Sequence, residues 1–177
     1  MKKNRLVFFL FIFLAFFSCK KNSESKGTQS GTKVNTWTFK EGSKQFSGSL
    51  LFDAQLNTLL QSNNSYTFGM IGAENTSGYI FNIVLSLLDL NFTTKNYRSG
   101  VDGNDYLNAF YYSESPGSVD DIYKSSNLDP GPVMNYTVTA YDASKDIVTI
   151  TFSGKAQLAN GNFVDITEGK VTTHIER

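Results

Sequence analysis

From Trp37 onward the apolar residues recur with a period of two, and the alternation is cleanest near the C-terminus. In DIVTITFSGKAQLANG, which begins at Asp146, Val148, Ile150, Phe152, Ala156 and Leu158 fall on one face of an extended chain. Thr149, Thr151, Ser153, Lys155 and Gln157 fall on the other, which is the pattern of an antiparallel strand with one face buried. Asn160-Gly161 tolerates the positive φ of a tight turn, so this strand is predicted to fold back onto FVDITEGKVTTHIE as a hairpin. In that second strand the apolar phase runs Val164, Ile166 and then Val171, Ile175. One extra residue near Glu168-Gly169 accounts for the change of phase and predicts a β-bulge at Gly169.

The preceding run NYTVTAYD alternates in the same way, with Tyr136, Val138 and Ala140 opposed to Thr137 and Thr139, and ASK turns it back toward Ile147. Upstream, TWTFK, KQFSGSLLFDA, SYTFGMIG, GYIFNIVLSLL, FTTKNY and YLNAFYYS are short β-rich runs separated by Gly, Asn and Ser. In YIFNIVLSL one face is wholly apolar (Tyr79, Phe81, Ile83, Leu85, Leu87), which marks a central strand. Only QLNTLLQS and VDDIYKSS invite a helical turn. About nine strands with almost no helix predict an all-β domain, read as an antiparallel β-sandwich, with a closed lipocalin-like β-barrel as the alternative.

The first eighteen residues follow a different rule: Lys2, Lys3 and Arg5 precede an unbroken apolar run over residues 6–17. Twelve residues reach about 18 Å as a helix, against a hydrocarbon core of about 30 Å, so the run reads as an export signal and not as a membrane span. Ser18 supplies the small residue before a cut and Cys19 a thiol that can take a diacylglyceryl group. The arrangement resembles a lipobox, with Phe16 and Phe17 departing from the usual aliphatic and small residues there. Lipidation of Cys19 converts the only thiol of the chain to a thioether, leaving the folded part to stand on its core without a disulfide. Residues 20–35 hold one apolar side chain, Val34, and are too polar to build a core. They form an expected flexible tether whose coil spans about 22 Å. The predicted organisation is therefore a signal peptide over 1–18, a lipidated cysteine and tether over 19–35, and one β domain over 36–177.

Removal of the signal leaves thirteen basic against sixteen acidic residues, a net charge near −3. No basic patch argues for nucleic acid. Two or three acyl chains anchor stably at about 0.8 kcal/mol per buried methylene, so membrane attachment requires no apolar face on the domain.

Trp37 before a first short hairpin, then YTFGMIGAENTSGYIFNIVLSL, a Tyr-rich strand, and finally VTAYDASKDIVTITFSGKAQLANGNFVDITEGKVTTHI together resemble a family of uncharacterised Bacteroidota envelope lipoproteins, known as a domain of unknown function. The resemblance spans residue 36 to the C-terminus and is most specific at Tyr141-Asp142, FSGK and DITEGK, whereas the segment SVDDIYKSSNLDPGPVMN fits poorly. It implies a β-sandwich on a lipid tether, and no activity. Outer-membrane attachment, facing the periplasm or the cell surface, is the corresponding expectation. Lys20 and Lys21 stand where surface-exported lipoproteins of this kind usually carry acidic residues.

Candidate chemistry is sparse, and neither an enzyme nor a cofactor is expected. His174 is the single histidine, on the face opposite Val171 and Ile175, and lacks the second histidine or cysteine a zinc site requires. No nucleophile is placed for it to activate. Asp102, Asn104 and Asp105 offer hard oxygen ligands in VDGNDY, but without the spacing or distal glutamate of an EF-hand loop. Asp120 and Asp121 are adjacent, so on a strand they face opposite ways and make no acid pair. The aromatics offer more: Tyr106, Phe110 and Tyr112 share one face of YLNAFYYS and form a candidate ligand or partner face if their rings are exposed. Trp37 is faintly similar to the lipocalin tryptophan, although Asn35 stands in place of that motif's glycine. The expected role is a lipid-anchored interaction or structural module meeting an envelope protein. The alternative is a carrier of a small apolar ligand. The two differ in whether large residues (Phe81, Ile150, Phe152) or small ones (Ala140, Gly154, Ala156) face the interior.

Overall fold

The computed structural model describes residues 33–58, 66–87, 89–93, 95–99, 108–115, 121–126 and 131–176. Eleven strands and no helix occur among them. They are β1 (Thr36–Glu41), β2 (Lys44–Leu50), β3 (Ala54–Thr58), β4 (Tyr66–Glu74), β5 (Ile80–Leu87), β6 (Asn96–Arg98), β7 (Ala109–Ser113), β8 (Asp121–Ser126), β9 (Met134–Asp142), β10 (Ile147–Gln157) and β11 (Phe163–Glu176).

Eight of these close a ring: β1 pairs with β2, then β4, β5, β7, β8, β10 and β11 follow in turn, and β11 returns to β1. Every pairing in the ring is antiparallel, so the fold is the closed barrel and the expected sandwich is corrected. Two contacts decide it. The end of β2 leaves β1 to pair with β4 from Gly48↔Glu74 to Leu50↔Gly72, and β10 reaches β8 at Gln157↔Lys124. Without them four strand edges would stand open. Alternation in the sequence shows which side chains face inward, but it does not show whether the inward face meets a second sheet or curls onto itself.

The β1–β2, β4–β5, β7–β8 and β10–β11 connections define a hairpin end. The opposite, N-terminal end begins at Lys33 and contains the β2–β3 corner and the β9–β10 turn. There β3 pairs antiparallel with β4 and parallel with β11, while β9 extends along β10 and β6 along β9. A chain of hydroxyls seals the seam where β8 gives way to β6 and β9. The Met134 amide donates to Ser99 Oγ (2.9 Å), Ser99 Oγ lies 2.7 Å from Ser125 Oγ, and Ser125 Oγ donates to the Pro132 carbonyl (2.9 Å). Asn108 bridges β5 to β6 by accepting from the Ser86 amide and donating to the Arg98 carbonyl.

The hairpin at Asn160-Gly161 forms as predicted, with Gly161 at φ 85° and the Leu158 amide donating to the Asn162 carbonyl. The three strands β9, β10 and β11 run consecutively antiparallel. The bulge in β11 is present, with register slips opposite Phe39 and opposite Ser153. Its left-handed residue is Glu168 (φ 50°), not Gly169. Gly169 serves another purpose: a Cβ there would collide with the Phe152 ring and carbonyl.

Three local expectations change. QLNT in β3 and DIYKSS in β8 are strand rather than helical turn, because pairing with β4 and with β7 fixes them extended; the rest of both runs lies outside the described residues. The strand expected over FTTKNY begins only at Asn96. Ala140 is exposed, since the β9–β10 register slips between Thr149 and Ile150 and ends the inward alternation at Val138.

Candidate functional site

The barrel interior is an apolar core to which every strand of the ring contributes, and its two ends are filled differently. Toward the hairpin end it is packed with rings. Trp37 (1% exposed) stacks on Phe81 at 4.5 Å between centroids and 6° between planes, and its other face lies against β2 and β4. There the chain carries Gly48 and Gly72, and a Cβ on Gly72 would sit 2.5 Å from Trp37 Nε1. Phe39 stacks on Phe46 at 4.6 Å, and Phe110 packs on Phe152 at 5.6 Å. Each such ring contributes about 1.5–3 kcal/mol by leaving water. Large residues thus occupy this half, with Phe81, Ile150 and Phe152 all buried.

The sequence candidates fall as follows. Phe110 (0% exposed) and Tyr112 (1%) point into this packed half, so their rings form core and not an exposed face. Tyr106, Asp102, Asn104, Asp105, Asp120 and Cys19 lie outside the described residues. The Tyr112 hydroxyl faces the Glu74 carboxylate without a hydrogen bond of good geometry, and burial, then Glu74, pushes its pKa up. Tyr123 donates to Glu41 Oε2 (3.1 Å), and burial first and Glu41 second raise its pKa. Tyr136 is raised by full burial. His174 is half-buried on the outer face, its amide donating to Asn35 Oδ1 and its Nδ1 lying 3.2 Å from the Lys145 carbonyl.

At the N-terminal end, among the described residues, the side chain that covers the interior comes from the run FTTKNY, expected above to be strand. Phe92 is fully buried, with its ring 5.5 Å from Phe68 and 5.0 Å from Tyr141. Its backbone is left-handed (φ 53°), a conformation that costs a residue with a Cβ about 1–2 kcal/mol. The loop that imposes it is built on Asp89. Oδ1 of Asp89 accepts from the amides of Asn91 and Thr93 (2.9 Å each), and Oδ2 accepts from Thr93 Oγ1 (2.7 Å). Lys95 Nζ donates to the Phe92 carbonyl (2.7 Å). Among the described residues, a polar loop thus holds Phe92 against the N-terminal end of the apolar barrel interior. The signal for it is an aromatic among turn-forming residues in DLNFTTK, where no strand alternation requires one.

The arrangement is thus a closed antiparallel barrel with an apolar interior, packed with rings toward the hairpin end and covered by Phe92 at the other. No protein family, curated protein or solved structure matched the chain, so the geometry carries the argument alone.

Proposed function

We propose that this chain is a lipid-anchored envelope barrel that carries a small apolar ligand, taken up at the end that Phe92 stoppers. Anchoring rests on Cys19, whose acylation after removal of residues 1–18 attaches the barrel to a membrane through residues 19–35. The resemblance of the sequence to Bacteroidota envelope lipoproteins supports the outer membrane as that membrane, at its periplasmic face or at the cell surface. The observation that carries the ligand reading is Phe92, because the Asp89 loop to which it belongs holds a phenylalanine buried in a left-handed conformation, against its backbone preference. Withdrawal of that ring opens the apolar half next to Phe68 and Tyr141. The role is binding, without a cofactor.

A second reading is favoured by the hairpin half, whose interior is packed with the rings of Trp37, Phe39, Phe81, Phe110 and Phe152. It is a solid module that meets another envelope protein through its outer surface.

The two separate in one titration. The full chain and its Phe92→Gly variant are titrated with cis-parinaric acid, a fluorescent fatty acid. The carrier reading expects saturable uptake at one site per chain and tighter uptake by the variant, since the stoppered state no longer competes. Absence of saturable uptake by both proteins overturns it in favour of the docking module. Intact mass of the chain purified from a lipoprotein-processing host tests the anchor separately.

A further inference from the structure

Among the described residues three large apolar side chains are strongly exposed: Leu51 (57%), Phe52 (44%) and Phe163 (53%). Phe163 stands alone at the hairpin end. Leu51 and Phe52 are adjacent and form the tip of the β2–β3 corner at the N-terminal end.

Asn35 fixes that tip. Its carbonyl accepts from the Leu50 amide (2.9 Å) and its Nδ2 donates to Asp53 Oδ1 (2.6 Å), so the residues on either side of the pair are both tied to it. Its Oδ1 accepts from Thr173 Oγ1 (3.1 Å) and from the His174 amide (3.0 Å), which secures the corner to β11. Asn35 has φ 58°, a conformation asparagine tolerates better than most residues. The residue that holds the tip is therefore also the one through which the N-terminal segment joins the barrel.

We propose that Leu51 and Phe52 are a second, non-covalent contact with a lipid surface. This rests, for its orientation, on the lipid-anchored reading. Cys19 lies fourteen residues before Lys33, so the tether expected from the sequence would reach roughly 20 Å, and the chain joins the barrel beside this tip and not at the hairpin end. A barrel held so presents Leu51 and Phe52 to the bilayer at high local concentration, and burial of two side chains there needs no rearrangement of the core. The end stoppered by Phe92 then faces the same lipid.

The test uses the full chain in vesicles of phosphatidylethanolamine and phosphatidylglycerol. Acylation consumes the Cys19 thiol, so Phe52→Cys supplies the single free thiol for an environment-sensitive fluorophore, and Phe163→Cys supplies the control. The proposal expects a blue shift and quenching by nitroxide lipids at position 52 and neither at position 163. Equal exposure to water at both positions, with acylation confirmed by mass, overturns it. So does shielding of position 52 that appears only when envelope protein is added. Failure of the anchor reading shows separately, as unmodified Cys19 in the mass spectrum. In that case a Cys19→Ser chain, with or without Leu51→Asp and Phe52→Asp, is floated with the same vesicles. A loss of roughly tenfold or more in bound fraction on adding the aspartates supports the contact, and equal flotation overturns it. Both aspartates fall at exposed positions, so unchanged urea midpoints confirm that the fold is retained.

Discussion

Replacement of Phe92 tests the stopper directly, because the structure predicts an inversion of the usual order of alanine and glycine. Phe92 is fully buried against Phe68 and Tyr141, so truncation to alanine removes a core ring at a cost of about 3–5 kcal/mol. Alanine keeps its Cβ and so keeps the strain of a backbone at φ 53°. Glycine loses the same ring but is free of that strain, worth about 1–2 kcal/mol, and gives back about 0.5–1 kcal/mol of it through the larger entropy of its unfolded chain. Phe92→Gly is therefore expected to be more stable than Phe92→Ala by up to about 1.5 kcal/mol, whereas in a regular strand alanine is the more stable of the two. With a urea dependence of about 2 kcal/mol per M for a domain of this size, the alanine variant loses roughly 1.5–2.5 M in midpoint and the glycine variant up to about 0.75 M less. Urea unfolding followed by the fluorescence of Trp37, the only tryptophan, reads both. An alanine variant equal to or more stable than the glycine variant, or a loss below about 1 kcal/mol for either, would refute the description of Phe92 as a strained, buried stopper.

Gly48→Ala and Gly72→Ala each thrust a methyl into the Trp37 indole and adjacent backbone, and a loss of about 1–3 kcal/mol with altered Trp37 emission is expected in thermal or urea unfolding. At the bulge, Gly169→Ala is expected to destabilise by a similar amount through the Phe152 ring. Glu168→Gly is expected to be neutral or stabilising by up to about 1 kcal/mol, because it relieves a left-handed residue and loses only an exposed ion pair with Lys40. Raising the pH sets the burial of Tyr112, Tyr123 and Tyr136 against their ionisation. Their folded pKa values lie above the unfolded value near 10, so the folded state holds protons that the unfolded state releases. Stability is then complete below about pH 10 and falls as the pH rises above it. In a spectrophotometric titration these three of the nine tyrosines should ionise only together with the unfolding transition, and early ionisation of all nine would contradict their burial.

What the sequence determined by itself was local. Period-two alternation set which residues of β5, β10 and β11 face inward, because strand geometry places alternate side chains on opposite faces whatever the partner. Asn160-Gly161 set a hairpin, and the break in phase between Ile166 and Val171 located the bulge to within a residue. Tertiary structure decided the rest. Closure depends on β2 bending from β1 to β4 and on the end of β10 leaving β9 to reach β8, and the β2–β4 and β10–β8 pairings join segments separated by other strands and leave no local mark. Phe110 and Tyr112 shared a face in the sequence, yet only closure shows that this face is the inside of a ring-packed half. Phe92 and the Leu51-Phe52 tip lie in connections without periodicity, where a phenylalanine looks the same whether buried or exposed. The contacts that bury one and leave the other in water come from strands that the sequence places up to about fifty residues away for Phe92, at Tyr141, and well over a hundred for the corner that Asn35 ties to Thr173 and His174.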